Sequence, residues 1–419
     1  VIEHKASKFS VHNASWGFPD GSLVAASPGP VTLDALRFKS IGIRSLPYVF
    51  QAGNGSQGNT DEDGRPITDL STYDGFANAI HTIAVAAANG ESEQGANIVC
   101  SALSPSRSTF PNNQCDNMDP SSSFATPIVS GVVTLMAEAR AAVGRPRLGW
   151  RDYQEILIAT STPPTLTFRS NRGIPAPFLA LPYVWDEGAQ RNGYGIVNAA
   201  DAVAFAEFWP NLPDSGLDYR TVKRGKRPRD NIENGQTETY TFNFSNARNL
   251  RIEHAQVRLQ WAEGSNAAPA TVELYCPNGL FPDRPYVSIL SEAGTNVDIP
   301  EDYTFTSVGH WGQLSAGTPV AADPLGFAIH DGVWRVDVGN AEGRRLEKID
   351  VIFHGTEPNT PPVVTFGDLI SSADPTVLNP ERITDSEDLI LTNLVFTDQE
   401  YQDPTVKYQW QKLEPDGVT

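Results

Sequence analysis

The run Ser121-Ser122-Ser123-Phe124-Ala125-Thr126-Pro127-Ile128-Val129-Ser130-Gly131 constrains this chain more than any other. Behind it Val129, Val132, Val133, Met136 and Ala139 recur at spacings of three and four. That is the period of a helix with one buried face. Pro127 suits the first turn of such a helix, where a missing N–H costs nothing. A serine at that start lies beside unpaired N–H groups and the positive end of the helix dipole. Developing negative charge is stabilised there, as a serine nucleophile requires. Taken alone, the run reads first as a serine N-cap on a core helix. Segments elsewhere in the chain change that reading.

At 419 residues the chain should hold two or three domains. Thirty-one Lys and Arg against 50 Asp and Glu give a net charge of -19. An acidic surface of that size argues against nucleic acid and anionic membrane as partners. It suits basic substrates and bound calcium, and it also serves solubility alone. The three cysteines, Cys100, Cys115 and Cys276, have no metal-ligand spacing. A bridge between Cys100 and Cys115 is open, as is pairing of Cys115 outside this chain. No apolar run reads as a bilayer span, and no signal peptide is visible at Val1. The chain opens mid-pattern without Met, so its true N-terminus is expected to lie upstream.

Residues 1 to 212 read as α/β. Tyr48-Val49-Phe50 and Thr82-Ile83-Ala84-Val85-Ala86 alternate with helical patterns at Thr32 to Ser45, behind Ser123, and at Trp150 to Thr160. That alternation implies a mainly parallel sheet covered by helices. The character changes at Trp209-Pro210-Asn211-Leu212-Pro213, and a linker rich in Pro, Gly and basic charge follows. Thereafter Thr239–Phe244, Ala255–Trp261, Val333–Val338 and Ile349–Phe353 alternate polar and apolar residues. An antiparallel β-sandwich over 213–356 is expected. A second break at Glu357-Pro358-Asn359-Thr360-Pro361-Pro362 opens a partial Ig-like β module over 357–419, with Val406–Gln411 as its last strand.

Two further segments join the serine. Asn13-Ala14-Ser15-Trp16-Gly17 looks like a strand end opening into a glycine turn. Gln51-Ala52-Gly53-Asn54-Gly55 follows the strand at Tyr48. An amide at Asn54, at the C-terminal edge of a parallel sheet, is well placed to donate to an oxyanion. Asn-Gly is also an ordinary turn.

Together these segments resemble the subtilase serine proteases. The family's Gly-Thr-Ser-x-Ala-x-Pro motif reads here as Ser121 to Pro127, so the resemblance makes Ser123 the nucleophile and Asn54 the oxyanion donor. Ser15-Trp16-Gly17 matches the strand that pairs with substrate backbone, with Ala52 and Gly53 lining the same cleft. Asn192 to Ala199 matches the segment closing the catalytic domain. Ser121 stands where the family has glycine, which would strain the turn if φ were positive there. Ser122 replaces threonine and keeps its hydroxyl. Phe50 to Gly55, Tyr73 to Asn78 and Gly149 to Asp152 narrow the resemblance to the kexin-like branch. Asp302 to Gly312 resembles the signature of that branch's P domain, a jelly-roll sandwich. The implied fold is therefore the C-terminal half of a subtilisin-like domain, a P domain and a partial module.

The resemblance implies cleavage of protein or peptide substrates after Lys or Arg. Asp74 would reach the basic side chain, and Asp20, Asp69 and Glu93 would hold a structural calcium ion beneath the pocket. It further implies a secreted or extracytoplasmic monomer. The family's Asp-Ser/Thr-Gly and His-Gly-Thr motifs should precede the serine. Asp214-Ser215-Gly216 and His354-Gly355-Thr356 follow it, and both read as decoys outside their structural context. His4, His12, His81, His254, His310 and His330 offer no better base. A fragment lacking the triad Asp and His is expected, inactive by itself. The alternative is a pseudoprotease or an extracellular adhesion protein using its β modules.

Overall fold

A computed structural model describes most of residues 11–17, 47–54, 70–162, 193–262, 271–277, 286–292, 301–308 and 332–356, and four short strands between 363 and 397. Four strands, β1 (His12–Ala14), β2 (Tyr48–Gln51), β3 (Thr82–Ala87) and β4 (Ile98–Ala102), form one sheet in the order β1-β2-β3-β4. Every pairing in it is parallel. The strands are short apolar runs buried along their length, as a sheet covered on both faces requires. A hairpin of β5 (Arg107–Phe110) and β6 (Gln114–Asn117) follows.

Helix α1 (Ser122–Ala142) crosses beneath this sheet and buries Val129, Val132, Val133 and Met136 against it. The expected periodicity is therefore the observed face. The helix starts earlier than expected, however. Ser121 is the N-cap, so Pro127 lies in the second turn rather than the first. Its missing N–H removes the donor that would otherwise meet the Ser123 carbonyl. Helix α1 is long and apolar enough to cross a membrane by length and composition, contrary to the expectation that no apolar run reads as a bilayer span. Here it serves as the core helix of the α/β layer, and the buried Arg140 near its end bonds the Pro146 and Ala206 carbonyls.

Helix α2 (Trp150–Thr160) spans the expected residues. Asp152 accepts from the Gly149 backbone N–H at 2.7 Å and caps it. The same carboxylate takes Trp209 Nε1 and the Leu212 N–H, which ties the chain beyond α3 (Ala199–Phe208) back to α2. The closing segment lies along β4: Ser101 N–H donates to Gly195 O and Val197 N–H to Ser101 O. Cys100 is a free, buried thiol, so the bridge to Cys115 does not form. Burial pushes that thiol up to about 12.

Beyond residue 219 two antiparallel sheets face one another. One has the order β13-β10-β15-β7, with β8 on β15; the other has the order β12-β11-β14-β9. Their members are β7 (Tyr219–Lys226), β8 (Asp230–Ile232), β9 (Thr237–Asn243), β10 (Arg251–Trp261), β11 (Thr271–Pro277), β12 (Tyr286–Glu292), β13 (Asp302–Val308), β14 (Val333–Gly339) and β15 (Arg344–Thr356). Alternation of exposure along β9 and β14 sends Tyr240, Phe242, Trp334 and Val336 into one core with Val257, Leu259, Val351 and Phe353 of the facing sheet. His254 lies in β10 and His354 in β15, as expected of sandwich positions. His354 is held by Thr221 and Gln256, far in sequence from any nucleophile.

Chain contacts group residues 1–357 as one compact unit and 358–419 as another. Within the first, polar groups stitch the two layers together. Arg151 and Glu253 form a bidentate buried ion pair, with Arg151 Nε 2.7 Å from Glu253 Oε2. Asn78 bonds the Thr304 carbonyl and the Thr306 N–H. Gln154 meets His254, and Tyr303 donates to the Thr72 carbonyl. The second unit contains β16 (Val363–Thr365) paired with β19 (Val395–Thr397), and β17 (Leu369–Ser371) paired with β18 (Leu389–Leu391). The expected helix at 32–45 and the strand at 406–411 lie outside the described residues.

Candidate active site

The C-terminal ends of β1 and β2 and the N-terminus of α1 meet at one edge of the parallel sheet. Parallel strands bring successive C-terminal ends to the same edge, which is why residues far apart in sequence converge there. Asn54 Nδ2 lies 3.4 Å from Ser123 Oγ. Asn54 Oδ1 accepts from the Ser122 backbone N–H at 3.1 Å, one of the orphan donors of the helix start. Ser122 Oγ is 2.6 Å from both the Gly53 carbonyl and Asn54 Oδ1. The hydroxyl that replaces the family's threonine thus pins the loop that carries Asn54. Ser121 has φ -151°, ordinary extended backbone, so its side chain brings no strain.

Gly53 shows why glycine precedes Asn54. Its φ is +105°, and a Cβ there would fall 2.1 Å from the Glu93 carboxyl carbon. Gly17 has the same logic: a Cβ would lie 2.7 Å from Asp74 Oδ2 and 3.1 Å from Gln51 Nε2. These two approaches put Glu93 against the Asn54 loop and Asp74 against Ser15–Gly17. Ala52 is buried beneath them. Trp16 is half exposed and packs edge-on against Phe50 and Phe76, which are themselves stacked at 5.3 Å. Asp20 and Asp69 lie outside the described residues, as do His4, His310, His330 and Asp214-Ser215-Gly216.

Asp74 is nearly buried, and burial raises its carboxyl to about 6 against the pull of the Phe76 and Ala77 N–H groups. The folded state therefore holds this proton more tightly than the unfolded chain does. Its stabilising contribution is complete below about pH 3.8 and is lost as pH rises through about 6. Asp74→Asn should flatten the fall in urea midpoint between those two values. An unchanged slope in the variant would refute the assignment.

The sequence alone assigns Gln51 no role. The structure buries it, with Oε1 2.5 Å from Ser123 Oγ. A polar side chain closing an apolar buried strand was the signal. Among the described residues, the hydrogen-bond partners of the Ser123 hydroxyl are Gln51 and Asn54, and neither is a base. His12, in β1, packs instead against Tyr48 and Phe50, and burial lowers its pKa. His81 meets Trp150 edge-on at 4.5 Å, in the contact between the layers.

Residues 2–196 match the subtilase family. Kexin of Saccharomyces cerevisiae is 23% identical over 325 residues, which cover 73% of this chain and 37% of that protein. Human furin is 24% identical over 384 residues, covering 84% of this chain and 42% of furin. Over residues 2–196 the chain is thus similar to the subtilases, and over most of its length to kexin and furin. The chain spans less than half the length of those two relatives. Its fold is shared with the crystal structure of a serine protease of Aeromonas sobria, at a TM-score of 0.57 and 16% identity over 83% of this chain and 72% of that one. Among the described residues no group of three His, Cys, Asp or Glu side chains could hold a metal ion.

Proposed function

We propose that this chain is the nucleophile-bearing part of a serine endopeptidase that cuts peptide bonds after Lys or Arg. One observation carries the reading: an amide donor from the β2 loop meets a serine hydroxyl in the first turn of α1, 69 residues away. Ser123 attacks the scissile carbonyl, and Asn54 donates to the oxyanion that forms. Ser15, Trp16 and Gly17 pair with substrate backbone, with Ala52 and Gly53 on the other side of the cleft. Asp74 meets the basic side chain before the cut. The triad Asp and His come from residues beyond those described. Without them this chain does not turn over peptides at protease rates.

In the same reading residues 1–212 are catalytic, 213–356 form a P domain with jelly-roll connectivity, and 357–419 form part of an Ig-like module. Calcium bound by Asp20, Asp69 and Glu93 stiffens the floor of the pocket. Only Glu93 of the three is described; its buried carboxylate lies against Gly53, and oxygen donors suit that ion. The protein works outside the cytoplasm as a monomer, as the family resemblance supports.

Labelling by a fluorophosphonate is the test, on a longer parent that carries the Asp and His. Mass mapping should find the adduct on Ser123, and EGTA should slow its formation. Absence of an adduct at Ser123 in calcium would sink the enzyme reading. It would leave the second reading, a pseudoprotease that binds partners through its β modules. That alternative is favoured by the non-basic Gln51 on the Ser123 hydroxyl.

A further inference from the structure

We propose that the Gln51 side-chain carbonyl holds the Ser123 proton in the place a general base would take, which makes Gln51 a positioning residue for the nucleophile. The inference rests on the reading of Ser123 as nucleophile. Three observations support it. Ser123 Oγ donates to Gln51 Oε1 at 2.5 Å, while Asn54 Nδ2 approaches the same oxygen from another side at 3.4 Å. Proton and lone pair are therefore both engaged within the chain. Gln51 is 7% exposed at the end of β2, so solvent does not compete well for its carbonyl. The other end of the amide is confined too, because Nε2 faces the space that Gly17 leaves by lacking a Cβ.

An amide oxygen accepts a hydrogen bond but does not take up the proton at ordinary pH. A hydroxyl bonded to it has a fixed direction and no route for losing its proton. Reaction of Ser123 requires a base to displace this carbonyl or approach beside it. Ser122 Oγ also lies 3.4 Å from the same Oε1, but its one proton serves the Gly53 and Asn54 oxygens at 2.6 Å, so Ser123 is the near donor to this carbonyl. The arrangement is thus a resting state of the Ser123 hydroxyl.

The 419-residue chain itself can be tested with a fluorophosphonate, with Ser123→Ala as the blank. In the reaction the Oγ–P bond forms, the P–F bond breaks, fluoride leaves and the Oγ proton passes to a base. In Gln51→Ala, imidazole from solution can occupy the vacated place. Labelling should rise about tenfold with added imidazole in that variant and change little in the parent chain. Gln51→Glu puts an isosteric carboxylate on the same proton. Its labelling rate should climb about tenfold from pH 4 to 7, whereas that of Gln51→Ala without imidazole stays flat.

Two failures are distinguishable. If Ser123 is labelled but neither variant responds to imidazole or pH beyond the parent chain, the role of Gln51 is overturned and the nucleophile stands. If Ser123 is never labelled, even in Gln51→Ala with imidazole, the nucleophile reading falls and takes this inference with it. Should the carboxylate variant fail to fold, the alanine variant with imidazole decides alone.

Discussion

Glu253→Ala should destabilise the chain by about 3–5 kcal/mol, the usual cost of removing one partner from a buried ion pair. Arg151 is fully buried and Glu253 nearly so, and their two ends meet in a bidentate pair between α2 and β10. Deleting the carboxylate leaves a guanidinium that can neither lose its charge nor reach water. The neighbouring contacts, Gln154 with His254 and Asn78 with β13, are hydrogen bonds worth about 1 kcal/mol each and cannot compensate. Urea unfolding would show a lowered midpoint, with the α/β layer and the sandwich losing structure together. A shift below about 1 kcal/mol would mean that water enters the contact and solvates Arg151.

On the proposed function, Asn54→Ala should cost a longer, active parent about 10²–10³ in kcat, with KM little changed, as removal of one oxyanion donor does. In that reading the donor would matter because charge would develop on the substrate oxygen only as Ser123 attacked, so the ground state would gain less from it. Alanine also removes the acceptor that holds the Ser122 N–H. Asn54→Asp separates the two effects, since it keeps that acceptor and loses only the donor. Both variants should be slow, the aspartate more so because its charge opposes the oxyanion. A loss below tenfold in both would remove Asn54 from the chemistry.

Periodic features were legible in the sequence. The apolar spacing behind Ser123 gave the buried face of α1, and alternation in β9, β14 and β15 gave the strands of the sandwich. Such patterns arise because an element has to hide one face, so they are written locally. Placing Pro127 in the first turn failed because the helix is held further back, by the Ser121 carbonyl and by Asn54, a residue of another strand's loop. The contacts that Gln51 and Arg151 make were illegible for the same reason. Their partners lie 72 and 102 residues away, and a spacing that the fold alone creates leaves no periodic trace. The resemblance supplied Ser123 and Asn54 as candidates; their 3.4 Å approach is a property of the folded chain.

The loop bearing Asp74 has a second allegiance. Tyr73, next to it, is buried in the core of the sandwich, 6.2 Å from Tyr303 and 5.5 Å from Phe305. The residue proposed to read the substrate is therefore anchored one peptide away from the core of the sandwich. Grafting the sandwich of another protease onto this α/β layer would disturb which side chain is accepted before it disturbed the scissile chemistry. On the proposed reading of Asp74, selectivity and the appended domain would be coupled through Tyr73.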